Sequence, residues 1–227
     1  MNSPSKSFPS AMDQSGSLGG YLMDHHLGVG AGGEHDTHQD TIHFGRRPNG
    51  FYIPRFRNFS EKAKGDYLRG FGYQGRGQRQ GWNRWIGGFG ADFKKELTSF
   101  GPWRVGMGGF GECLPYDNNR ITLSKEKTDK WGLPLVVADA EFQQNEINMR
   151  EDMKTDAMEM LESMGAKNVR GYNNKPSIGL GIHEMGTARM GSSPKESVLN
   201  KYNQVWGAKN VFCTDGSAMV SAACTNP

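Results

Sequence analysis

The chain has 227 residues, 35% of them hydrophobic, with 32 glycines and a formal net charge of +3. That length suits one or two domains with a substantial core, and the small net charge, with glycine counted among the non-polar residues, argues against global disorder. The near balance of charge points to neither nucleic acid nor an anionic membrane as a partner, no run reaches the ~18 apolar residues of a membrane span, and cysteines at only Cys113, Cys213 and Cys224 make neither a disulfide framework nor a CxxC zinc site.

Residues 1–50 are rich in Gly, Ser, Asp and His, show no helical or alternating period, and read as loops. Phe51 to Phe59 alternates large apolar with other side chains and fits a strand that Pro54 places at an edge or a bulge. From Gly70 to Gly111 glycines alternate with aromatics and arginines, which predicts loops and short strands and no long helix. Asn119 to Ser124 and Leu135 to Phe142 read as two strands joined by a turn from Thr128 to Pro134, an antiparallel pair. Ile147, Met149, Met153, Ala157, Met160, Leu161 and Met164 recur at helical spacing, so a helix packs this stripe into the core and stops at Gly165. Asn210 to Asp215 reads as a last strand, followed by a Gly216-Ser217 turn that can bring backbone N–H groups close to a ligand. No internal repeat suggests a solenoid or propeller.

Three local patterns invite a chemical reading. Gly28-Val29-Gly30-Ala31-Gly32-Gly33 matches GxGxxG, but the dinucleotide site needs a strand before it, a helix after it and an acid ~20 residues on. None of these is present, so the run is expected to be a loop near a domain junction, with no helix starting at Gly32 or Gly33. Five of the six histidines, His25, His26, His35, His38 and His43, fall between Asp24 and Phe44. Neighbouring histidines on an extended segment point opposite ways, and His35 with His38 lacks an HExxH context. They read as solvated or hydrogen-bonded loop residues, with no metal. Tyr67 to Gly90 carries Arg69, Arg76, Arg79 and Arg84 among aromatics with no acid, the make-up of a nucleic-acid-binding segment and also of a packed glycine-rich region. This segment, 67–90, carries the alternative reading of the chain as a nucleic-acid-binding module.

The C-terminal region is more specific. His183 sits in Gly179 to Gly191 (GLGIHEMGTARMG), among glycines that permit close backbone approach. Ser197-Val198-Leu199-Asn200, Gly207 to Phe212, Asp215-Gly216-Ser217 and Thr225-Asn226-Pro227 follow in order. This set resembles the C-terminal region of the glucose-methanol-choline (GMC) family of flavin oxidoreductases, where a histidine in an H-x-x-G-T segment pairs with a second His or Asn beyond a strand ending in D-G/A-S. Here the pair maps to His183 and Asn226, 43 positions apart. Weaker likeness extends upstream: Gly16 to His25 looks like the family's G-x-x-L-x-D-H segment, and Leu114 to Leu123 like its P-x-N-R-V-x-L strand.

The resemblance implies an α+β fold, with an antiparallel sheet and packed helices forming a substrate-binding domain. It implies three parts: residues 1–50 leading out of the FAD domain, 51–178 as the substrate-binding domain, and 179–227 returning to the FAD domain. It further implies FAD as cofactor, a small alcohol or sugar as substrate, and oxidation of its CH–OH group. His183 would take the hydroxyl proton, a role suited to a side chain that ordinarily titrates near neutral pH. Asn226 would orient the substrate oxygen, and Asp215, Gly216, Asn226 and Pro227 would contact the flavin. The family's flavin fingerprint is missing and the chain stops at Pro227, where relatives continue. The expectation is therefore an internal part of a longer enzyme, which alone neither retains FAD nor oxidises alcohols.

Overall fold

Alternating and helical patterns organise seven strands and two α-helices among the residues that the computed structural model describes, 13–41, 50–79, 86–174 and 177–226. In chain order they are β1 (Val29–His35), β2 (Gly50–Ile53), β3 (Phe71–Arg79), α1 (Gly90–Thr98), β4 (Trp103–Gly111), β5 (Arg120–Thr128), β6 (Pro134–Asp139), α2 (Gln144–Ser163) and β7 (Lys167–Asn173). Five of them form one sheet in the order β2-β3-β4-β1-β7, with every neighbouring pair antiparallel. The architecture is α+β, as expected.

The GxGxxG run is not the loop that its composition suggested. It forms most of β1, a strand inside the sheet, with Gly30 opposite Gly108 on one side and Tyr172 on the other. Residues 29–35 thus belong to the same sheet as β2, β3, β4 and β7, and the reading of 1–50 as loops fails there. Gly30 has φ +150, and a Cβ added to it would strike the Met107 carbonyl, so close backbone approach explains the glycine. No helix follows at Gly32 or Gly33, in keeping with the missing acid.

β3 and β4 are nine residues each, longer than the short strands expected, and the glycines of β4 have a packing reason. A Cβ on Gly109 would lie 2.7 Å from the Met153 sulfur, so the bare backbone makes room for the methionines of α2. That helix buries Met149, Met153, Ala157 and Leu161, one every four residues, against Val29, Ala31, Phe71, Tyr73 and Met107. Each fully buried side chain of this kind contributes about 1.5–3 kcal/mol. Ile147 and Met164, assigned to the stripe from sequence, are exposed at its two ends. The helix opens where the Glu146 carboxylate accepts the Gln143 N–H at 3.1 Å. It closes at Gly165, whose φ of +88 suits glycine.

β5 and β6 pair as read, with Ile121 opposite Ala138 and Leu123 opposite Val136. β2 is an edge strand that ends just before Pro54, so the strand expected to reach Phe59 is cut short by the missing N–H. Residues 210–215 form no regular strand; a single bridge joins Gln204 to Phe212. This region is held instead by turns around a small core of Val198, Leu199, Val205 and Ala218. Another core, of Leu22, Met23, Cys113, Phe142, Ile178, Met185 and Ala222, gathers segments from both ends of the chain.

Candidate active site

Two extended segments build the site. Met23 and Met185 exchange both backbone hydrogen bonds at 2.9 Å, laying residues 21–26 antiparallel to 183–187. Gly186 has φ +100, and a side chain there would strike the Tyr21 carbonyl. Next to this bridge lies Asp24, fully buried. Its carboxylate accepts the N–H groups of His25 at 2.7 Å, Gly179 at 2.9 Å, Gly181 at 2.7 Å and His183 at 3.2 Å. Four backbone donors thus replace the water that a buried carboxylate loses, and the loop 179–183 is tied to the segment carrying His25. A Cβ on Gly181 would lie 2.6 Å from the Asp24 carboxylate, so only glycine passes there.

His183 is half-buried, and its Nδ1 lies 2.8 Å from Nδ1 of His25, with the rings edge-on at 77° and centroids 4.8 Å apart. Its Nε2 makes no hydrogen bond among the described residues. His25 is fully buried, with its ring edge-on to Phe110 and its Nε2 on the Ala223 carbonyl. Burial pushes its pKa below the ordinary value; the Ala223 bond opposes this, and nearby His183 adds to it.

His26 faces the other way, stacked on Phe142 at 4.7 Å, with neither ring nitrogen hydrogen-bonded among the described residues. Burial, reinforced by the Arg150 guanidinium and by His25, pushes its pKa from 6.5 to about 3, against a smaller opposing pull from the Glu112 backbone. The histidine cluster therefore divides. His38 is exposed in a turn, His35 is the last residue of β1 and bonds the Met164 carbonyl at 3.1 Å, a hydrogen-bonded histidine on a strand where a loop was expected, and His43 lies outside the described residues. His25 and His26 do not fit that reading: one touches His183 and the other is sealed in the interior. Sequence reasoning missed His25 because its partner is 158 residues away. The one available signal was its place in the Asp24-His25 pair of the upstream resemblance.

Asp215 and Gly216 lie along the same loop. The Gly216 carbonyl accepts the Gly186 N–H at 3.3 Å, and the Ser217 carbonyl accepts the Ala188 N–H at 2.9 Å. The Asp215 carboxylate accepts the Ser217 N–H at 2.9 Å, opening a short 3-10 turn over Gly216–Ala218, and bonds to Ser217 hold its pKa below the usual range. Asn226 is exposed and lies three positions after Ala223, whose carbonyl holds His25. Pro227 lies outside the described residues.

Residues 115–227 match the sequence profile of the GMC oxidoreductases. The chain is 37% identical over 120 residues to a 2-methyl-1,2-propanediol dehydrogenase of Mycolicibacterium austroafricanum, covering 52% of this chain and 21% of that protein. It is 27% identical over 145 residues to a gluconate 2-dehydrogenase flavoprotein of Pantoea cypripedii, 61% of this chain and 24% of that one. A long-chain-alcohol oxidase of Arabidopsis thaliana is 31% identical over 70 residues, 30% of this chain and 9% of its own length. The chain spans a quarter or less of these relatives. This match makes the chain, over residues 115–227, a member of the GMC oxidoreductase family.

Proposed function

We propose that the protein, as part of a longer enzyme, oxidises the CH–OH group of an alcohol or sugar with FAD, and that His183 takes the hydroxyl proton. The observation that carries this reading is the state of one imidazole: His183 is held at Nδ1 while its Nε2 has no hydrogen-bond partner among the described residues. The relatives support it in kind, since their names describe oxidation of a diol, of gluconate and of long-chain alcohols.

The residues around His183 fit a flat, largely apolar ring system. Leu180 and Ile182 flank it on the loop and are exposed, and Met219 and Val220 follow the Gly216 turn in the same state. Ile182 stands at φ +59, an unfavourable conformation for a β-branched residue, with 78% of its surface in solvent. A bound ring would cover such side chains. Asp215, Gly216, Asn226 and Pro227 would hold the cofactor on that side, with 179–227 as the flavin side and the five-stranded sheet as the substrate side.

FAD, when bound, supplies the acceptor for the hydride leaving the substrate carbon. The chain supplies the rest. His183 Nε2 receives the proton of the substrate hydroxyl, and its ring is kept from turning by His25. The Asn226 amide donates a hydrogen bond that orients the substrate oxygen and does not compete for the proton. The test is anaerobic stopped-flow reduction of the FAD-loaded longer enzyme, of which this chain is expected to be a part, by a primary alcohol, a vicinal diol and an aldonate. His183→Ala should slow flavin reduction by about 10²–10⁴-fold while FAD stays bound. Asn226→Ala should cost less. Reduction at the full rate without His183 overturns the assignment.

A further inference from the structure

We propose that His25 is a positioning residue that fixes the tautomer of His183, holding its proton on Nδ1 and its lone pair on Nε2. The proposal rests on the reading of His183 as the base.

The argument follows the hydrogen-bond chain inward from Ala223. A carbonyl oxygen only accepts, so His25 Nε2, bonded to the Ala223 oxygen, must carry a hydrogen. His25 is fully enclosed, and the groups facing it are the Phe110 ring edge, His183 and Asp24, whose carboxylate is already occupied by four backbone donors. Such a histidine stays neutral, and burial disfavours its charged form. With its one hydrogen on Nε2, it offers only a lone pair at Nδ1. The 2.8 Å contact between the two Nδ1 atoms needs one hydrogen, which therefore belongs to His183. A neutral His183 then has a bare Nε2, the nitrogen with no hydrogen-bond partner among the described residues.

This matters because a free imidazole side chain prefers its hydrogen on Nε2, the form that cannot accept a proton there. The nitrogen that reacts is thus set by the bond that the other one makes. When His183 takes up the substrate proton it becomes a cation, and its Nδ1–H still points at the His25 lone pair, so the acceptor serves before and after transfer. Ala223 and Asp24 have consistent roles: one orients the His25 ring, and the other ties together the two backbone segments.

The experiment is long-range ¹H–¹⁵N imidazole spectroscopy on the FAD-loaded longer enzyme, at a pH where its imidazoles are neutral, with signals assigned through His183→Ala and His25→Gln. In the unmodified protein His183 should show a protonated Nδ1 and a bare Nε2, with His25 showing the reverse. His25→Leu should move the His183 hydrogen to Nε2 and lower the rate of flavin reduction about 10–100-fold, the usual scale for losing a partner that orients a reacting group. KM should change little. His25→Gln keeps an N–H for the Ala223 carbonyl and an oxygen for the His183 Nδ1–H, so it should restore both the tautomer and most of the rate. A neutral His183 carrying its hydrogen on Nε2 in the unmodified protein overturns the proposal, whether or not His25→Leu folds. So does an unchanged tautomer in His25→Leu. If the tautomer shifts as expected while His183→Ala keeps full activity, the positioning stands and the base assignment falls.

Discussion

A carboxylate buried without a cation has to find its hydrogen bonds in the backbone, and Asp24 finds four, three of them from the loop that carries His183. This explains why an aspartate and two glycines, Gly179 and Gly181, stand 155 and 157 positions apart in sequence and together in space. The same segment turns His26 inward with opposite consequences. In the unfolded chain His26 takes up a proton below its ordinary pKa of 6.5, whereas in the fold it resists until about pH 3. Its contribution to stability is therefore complete above about pH 6.5 and is lost as the pH falls towards 3, amounting to about 2 kcal/mol at pH 5. His26→Phe keeps a ring against Phe142 and removes the proton. Denaturant midpoints measured at pH 7 and pH 5 should show a loss on acidification that is smaller in the variant by about that amount. Equal losses in the two proteins would remove His26 from the account.

At the scale of elements, α2 and β4 explain each other. The methionine stripe was legible because its period is local: Met149, Met153, Ala157 and Leu161 return every four residues whatever they pack against. The glycine strands were illegible for the converse reason. A strand is read from its side chains, and β1 and β4 omit them wherever the backbone or Met153 comes close, as at Gly30, Gly109 and Gly111. Met153 is fully buried between those glycines and the helix, so Met153→Ala should cost about 2–5 kcal/mol in chemical denaturation. Met153→Leu, of similar volume, should cost less than about 1.5 kcal/mol. A loss below 1 kcal/mol for the alanine variant would mean that the neighbouring glycines let the strand settle into the gap.

Across the whole molecule, the Arg/Gly/aromatic stretch is drawn into the sheet. Phe71 and Tyr73, two of the aromatics that the nucleic-acid reading would use to stack on bases, are fully buried in β3 under α2, and Arg79 bonds the Gly101 carbonyl at 3.1 Å, while Phe89 is exposed; residues 80–85 of that stretch lie outside the described ones. The protein should accordingly show no salt-sensitive retention of single-stranded DNA in a binding titration at low ionic strength, beyond the ~10⁻⁴–10⁻⁶ M of non-specific attraction. Tighter binding that weakens steeply with salt would revive the alternative reading. By itself the sequence determined the α2 helix, the β5–β6 pair and the ordered C-terminal motifs that carry the family resemblance, because each is a pattern over neighbouring residues. Only the tertiary structure decided that the GxGxxG run is a strand inside the sheet and that His25 meets His183. Both depend on contacts between segments far apart in the chain, where a glycine leaves no pattern to read and a histidine looks the same on a loop as it does against another imidazole.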